Sequence, residues 1–148
     1  MMLRPKIDEK TKILTLKETE SLLNDNMISG TIPSTKLNQL RHLEILNVLG
    51  NKLIGTIPDT LKDLIRLEEI YLNDNGFTGT VPDSIHYLEK LKHLSIEGNS
   101  LQSGTTVPAE VCSLVTDGNL IHLSADCTSS SSLGGGGGIV CTCCTECH

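Results

Sequence analysis

Tryptophan is absent, and Tyr71, Phe77 and Tyr87 are the only aromatic residues among 148. A surface that stacks nucleic-acid bases needs aromatic rings in series, so the sequence has nothing from which to build one. A basic stripe is missing too. The net charge is −6 with a pI near 5.3, which excludes the electrostatic footprint of a nucleic-acid binder. No apolar run approaches the length of a membrane span. The first twelve residues, MMLRPKIDEKTK, are polar and of mixed charge, without the apolar core of a signal peptide. Catalytic groupings are lacking as well. No serine or cysteine nucleophile has an activating partner in view, and the run Gly134 to Gly138 lacks the strand, helix and lysine of a phosphate loop. We therefore expect a protein that is not an enzyme, has no cofactor, and spans no membrane in this chain.

Repetition fills the space these absences leave. Asn51, Gly55 and Pro58 recur as Asn75, Gly79 and Pro82, and Leu43, Leu46, Val48 and Leu53 return as Leu67, Ile70, Leu72 and Phe77. A further copy carries Leu91, Leu94, Ile96, Asn99 and Leu101, with Gly104 and Pro108 displaced by an insertion around Gln102 to Thr106. A poorer copy precedes the others at Leu23, Asn26, Ile28, Gly30 and Pro33, where Glu18 and Ser21 stand in leucine positions. The period of 20 to 29 residues with L-x-x-L-x-L-x-x-N-x-L is the leucine-rich-repeat signature. Each unit supplies one short strand and a returning turn, and no single coil buries enough to stand alone, so neighbours supply the rest and the ends need caps.

The residue types fit that geometry. Strand leucines point inward between coils. Asn26, Asn51, Asn75 and Asn99 form a structural ladder, since an amide has donors and an acceptor to offer to turning backbone. Between each proline and the next strand lie apolar residues three apart, Leu37, Leu40 and Leu43, then Leu61, Leu64 and Leu67, then Ile85, Leu88 and Leu91. That spacing predicts 3-10 or short α turns, with Asp59 and Asp83 as their N-caps. Val111 and Leu114 open a final segment, and Leu120 and Leu123 belong to a last strand without its Asn. The fold class expected is an α/β solenoid, a right-handed superhelix of about 24-residue coils. Short parallel strands line its concave face, and 3-10 or helical turns its convex side.

NKLIGTIP and NGFTGTVP make the chain resemble the plant-type class of leucine-rich repeats over roughly residues 13 to 127. Cys112 and Ala125-Asp126-Cys127, followed by CTCCTEC, resemble the C-terminal end of secreted leucine-rich-repeat proteins of diatoms and related algae. The sequence departs from complete receptors in showing no paired-cysteine N-terminal cap, transmembrane helix or kinase domain. Residues 1–12 are expected to be a polar N-terminal segment of a truncated gene product, 13–127 the repeat domain, 128–140 a Ser/Gly-rich linker and 141–148 a cysteine-rich cap.

Cys112, Cys127, Cys141, Cys143, Cys144 and Cys147 all fall in the last quarter. An even number in that pattern suits disulfides that staple the cap, with fifteen pairings open. The rival is a soft metal site made by Cys141, Cys143, Cys144, Cys147 and His148, although a zinc site normally joins two separated ligand pairs. Disulfides place the protein outside the cell or at its surface, with a signal peptide lost from the sequence; the cytoplasm is the alternative.

Side chains that alternate with the buried leucines face outward on the concave side, and strands about 4.8 Å apart align them in columns. One column reads Glu20, Ile45, Glu69, His93 and His122; the next Leu22, Asn47, Tyr71, Ser95 and Ser124; the third Asn24, Leu49, Asn73, Glu97 and Asp126. Glu69, Tyr71, Asn73, Asp74, His93, Ser95 and Glu97 are the candidate partner-binding residues, with Tyr71 as the anchor. Glu69, His93 and His122 also offer a divalent metal or pH-sensitive grouping. Acidic residues on this face favour a partner of basic character. The resemblance implies recognition of a protein or peptide. Two alternatives remain open, a structural cell-wall protein and an intracellular metal binder using the terminal cysteines.

Overall fold

The computed structural model describes residues 7–8, 13–14, 20–37, 39–128 and 138–148. In chain order the strands are β1 (Ile7–Asp8), β2 (Ile13–Leu14), β3 (Glu20–Leu22), β4 (Ser29–Gly30), β5 (Ile45–Asn47), β6 (Lys52–Thr56), β7 (Glu69–Tyr71), β8 (Gly76–Gly79), β9 (His93–Ser95), β10 (Ser100–Leu101), β11 (His122–Ala125) and β12 (Glu146–Cys147). Two helices, α1 (Ser34–Leu37) and α2 (Ala109–Thr116), and two 3-10 turns, Asp59–Asp63 and Asp83–Tyr87, complete the coils. β1 and β2 pair with each other, antiparallel. The remaining strands form two parallel sheets, one ordered β12-β11-β9-β7-β5-β3 on the concave side and one ordered β10-β8-β6-β4 beside it.

Each coil follows from its leucines. Leu46, Ile70, Leu94 and Leu123, at the middle of successive concave strands, are fully buried, and Leu53 and Phe77 fill the same layer from the second sheet. On the convex side the three-residue spacing has a direct cause. Leu64 N–H donates to the Leu61 carbonyl at 3.0 Å, and Leu67 N–H to the Leu64 carbonyl at 2.9 Å. Leu88 and Leu91 repeat this on Ile85 and Leu88. Each i to i+3 bond thus lands on the next inward-facing residue, which keeps the run tight and on one side.

The expected aspartate N-caps are not formed. Pro58 and Pro82 hold the N-cap positions without a side-chain capping bond, and Asp59 and Asp83 are the first residues of the turns. Proline already fixes the entering backbone, and the Asp59 carboxylate accepts instead from Lys62 Nζ at 2.8 Å.

Asparagine joins the coils. Asn75 Nδ2 donates to the Val48 carbonyl of the previous coil at 2.9 Å and to its own Leu72 and Asn73 carbonyls at 3.1 Å each, while its Oδ1 accepts from Leu53 N–H at 3.0 Å. Asn51 and Asn99 repeat the set, reaching back to Leu23 and Leu72. The residue before each ladder Asn is left-handed: Asp25 (φ 54°), Gly50 (67°), Asp74 (56°) and Gly98 (65°). Aspartate and glycine alternate along the stack for a steric reason. A Cβ on Gly50 would lie 2.6 Å from Asp25 Oδ1, and one on Gly98 would collide with Asp74 Oδ1.

The C-terminal end is closed by the tail. Cys112 bridges to Cys143, Cys127 to Cys147 and Cys141 to Cys144. All six sulfurs are therefore paired, and none is left as a free thiol. Residues 129–137 of the Ser/Gly-rich stretch lie outside the described residues. Its last three differ from the expected linker, since Ile139 is buried and pairs with Cys127, and Val140 pairs with Thr106 of the insertion. One isoleucine fills the apolar opening left at the end of the last coil.

Two substitutions separate the ladder from the core in denaturant or thermal unfolding. Asn75→Ala is expected to cost about 1–3 kcal/mol, because Leu53 N–H and the Val48 carbonyl lose a shared buried partner. Leu72→Ala is expected to cost roughly 2–5 kcal/mol through the cavity it leaves. A change below half a unit for Asn75→Ala would contradict the ladder.

Candidate functional site: the concave strand face

The concave columns follow the expected register. Ile45, Glu69, His93 and His122 sit on successive strands, as do Asn47, Tyr71, Ser95 and Ser124. Each residue is placed by the buried leucine beside it, because an inward side chain at one position turns its neighbours outward. β12 adds a rung that the sequence did not reveal, with Glu146 opposite Ser124.

Around Tyr71 the face is tightly coupled. Tyr71 is half-buried and its hydroxyl donates to Glu69 Oε2 at 3.0 Å. Burial first, and the neighbouring carboxylate second, hold the phenol above the ordinary tyrosine range, since both disfavour the phenolate. The Tyr71 and His93 rings are 6.4 Å apart by centroid, and the His93 and His122 rings 5.7 Å. Glu146 stands between two imidazoles, with its carboxylate 3.9 Å from His122 Nε2 and 3.5 Å from His148 Nε2. Rings and carboxylates therefore run from β7 to the chain end. Just outside the column, Lys92 Nζ and Glu68 Oε2 are 2.6 Å apart, and the contact lowers the glutamate and raises the lysine.

The candidate residues do not all present themselves equally. Ser95 is only 5 % exposed, and Ser124 only 1 %. Both serines sit low in the column that holds Tyr71 and Glu146. Glu97 is half-buried and accepts from Ser124 Oγ at 2.6 Å. Asn73 donates to Asp74 Oδ2 at 3.2 Å, and its own Oδ1 is buried without a partner among the described residues. Asp74, with its left-handed backbone, is exposed at the edge of the face.

Asp126 serves the fold. Its Oδ2 accepts from Gly98 N–H at 2.7 Å and Asn99 N–H at 3.4 Å. In an inner coil the equivalent groups, Gly50 and Asn51 N–H, donate to Asn73 and Asp74 carbonyls of the next coil. The carboxylate thus takes the place of a backbone carbonyl, while the Asp126 carbonyl itself accepts from Ile139 N–H at 2.9 Å.

Although Glu69, His93 and His122 are adjacent rungs, no group of three or more His, Cys, Asp or Glu among the described residues is arranged to hold a metal ion. Likewise, no helix among them is long and apolar enough to cross a membrane.

Comparison with known proteins agrees with this architecture. Residues 41–101 match the leucine rich repeat family profile. Over 63 residues the chain is 36% identical to an inactive leucine-rich repeat receptor-like serine/threonine-protein kinase of Arabidopsis thaliana, covering 43% of this chain and 10% of that protein. Among solved structures it resembles a chain of the BIR3–SERK2 complex from Arabidopsis thaliana (36% identity, TM-score 0.59, 62% of this chain and 48% of that one). It also resembles the ectodomain of the plant membrane receptor kinase GASSHO1/SCHENGEN3 in complex with CASPARIAN STRIP INTEGRITY FACTOR 2 (29%, 0.64, 74% and 12%). A third likeness is to the Arabidopsis receptor kinase HAESA in complex with the peptide hormone IDA and the co-receptor SERK1 (31%, 0.61, 66% and 16%). The chain spans a tenth of the curated relative's length and less than half of each of these structures. Its fold is a leucine-rich-repeat solenoid similar to those of these plant receptor ectodomains.

Tyr71 gives a pH-dependent test. Its folded pKa is raised, so its contribution to stability is fully present below the unfolded value, about 10, and is lost as pH rises through the folded value. Phenolate absorbance is expected to show a late component that Tyr71→Phe removes. A titration curve unchanged in shape by that substitution would contradict the Tyr71–Glu69 contact.

Proposed function

We propose that this chain is a non-catalytic module that binds a protein or peptide through its concave strand face, as part of a receptor-like ectodomain or a secreted protein. The observation that carries the reading is the cross-strand register, which sets Glu69 and Tyr71 of β7 beside His93 of β9 in one continuous patch. Half-buried aromatic and charged groups in fixed positions suit recognition: Tyr71 supplies rigid area and is already held by Glu69. Asn73, Asp74, His93 and Glu97 surround it. Several of the similar structures are of receptors bound to peptides or co-receptors, and the same use of the face is inferred here.

Glu69, Asp74 and Glu146 make the face acidic, so the ligand is expected to carry basic residues. Three disulfides fit a protein exposed to an oxidising compartment, at the cell surface or outside the cell.

Selection of a random displayed peptide library against the intact oxidised chain tests this. Enriched peptides are expected to be rich in Lys and Arg and to bind more weakly as ionic strength rises. Tyr71→Ala and Glu69→Gln are each expected to lower affinity about tenfold or more, the scale of a buried anchor contact, while costing far less stability in thermal unfolding than Leu72→Ala. Enriched peptides that bind both variants as well as the parent would refute the concave site.

A further inference from the structure

The three disulfides differ in what they tie together. Cys112–Cys143 joins α2 to the tail across a separation of 31 residues, and Cys127–Cys147 joins the last coil to β12 across 20. Both hold the cap to the body. Cys141–Cys144 spans three residues and ties the tail only to itself. A bridge stabilises a fold largely by restricting the unfolded chain, and a short loop restricts it least. By linkage, a bridge that adds little to the fold is little protected by it. The main-chain hydrogen bonds that anchor the tail fall on Val140, which donates to Thr105, and on Thr145, which donates to Leu123, on either side of this bridge. Cys141 and Cys144 are half-exposed, and Thr142 and Thr145 beside them are exposed.

We propose that Cys141–Cys144 is a thiol–disulfide exchange site that takes a small thiol of the glutathione class while the cap stays attached to the solenoid. An external thiolate attacks Cys144 Sγ and forms a new sulfur–sulfur bond there. The Cys141–Cys144 bond breaks, and Cys141 leaves as the thiolate and takes up a proton. A second external thiolate attacks the outer sulfur of the mixed disulfide and releases Cys144. Two external thiols are thereby oxidised to one disulfide, and the protein is reduced by the same two electrons. Cys143, next to Cys144, remains bridged to Cys112 throughout.

The test is equilibration of the full oxidised chain in glutathione buffers of increasingly reducing ratio, quenched by alkylation and mapped by peptide mass. The expected result is an intermediate with two labelled cysteines, Cys141 and Cys144, the other two bridges intact and the unfolding midpoint lowered by only a few degrees. Cys147 is the most exposed of the six, so exposure alone would open Cys127–Cys147 first. That order, or the appearance of all six thiols together, would overturn the proposal. The double variant Cys141→Ser/Cys144→Ser is expected to keep the other bridges and to lose the two-thiol intermediate. If it fails to fold, or melts as early as Cys127→Ser/Cys147→Ser, the proposal is equally overturned. The result is independent of what the concave face binds.

Discussion

Each coil takes hydrogen-bond partners for its turn from its neighbours, and the ladder asparagine makes the exchange. Asn51, Asn75 and Asn99 each reach one carbonyl of the preceding coil and accept an N–H from it, that of Ile28, Leu53 and Phe77 in turn. An unmet N–H or carbonyl in this interior would cost more than a typical hydrogen bond returns, so a coil without its neighbour is incomplete. Other features answer to that requirement. Leucines set the distance between coils, glycine alternates with aspartate because two Cβ-bearing side chains cannot share the turn, and proline fixes the direction in which the chain leaves.

A stack built on borrowed partners needs special ends. At the C-terminal end no ladder asparagine follows Asn99; Cys127 bridges to Cys147, and Asp126 supplies a carboxylate where the next coil's carbonyls would be. β12 covers the edge of the concave sheet, with Thr145 and His148 N–H groups donating to Leu123 and Ala125. The same closure extends the candidate binding face, because Glu146 continues the column of Tyr71 and sets its carboxylate beside His122 and His148. The cap and the candidate face thus share residues of the tail.

Much of this was legible in the chain. The period, the inward leucines and the concave columns depend on spacing, which translates directly into strand phase. What was not legible depends on contacts between segments far apart in sequence. Nothing in CTCCTECH alone marks Glu146–Cys147 as a strand; that follows only once two bridges pin it beside β11. Asp126 reads as one more acidic residue until the Gly98 and Asn99 N–H groups of the coil before it are seen to need an acceptor. Ser95 stands in the expected column, but its near-complete burial depends on neighbours that spacing alone does not reveal. Asp59 and Asp83 had the type and position of N-caps, and the prolines before them had already set the entry.

The most direct measurement is native-state hydrogen exchange at the Leu53 and Phe77 amides in an Asn99→Ala variant. Asn99 Oδ1 accepts from Phe77 N–H at 3.0 Å, whereas Leu53 N–H depends on Asn75. The account predicts that Phe77 loses far more protection than Leu53. Equal loss at both amides, or no loss at Phe77, would contradict the claim that the ladder asparagines join one coil to the next.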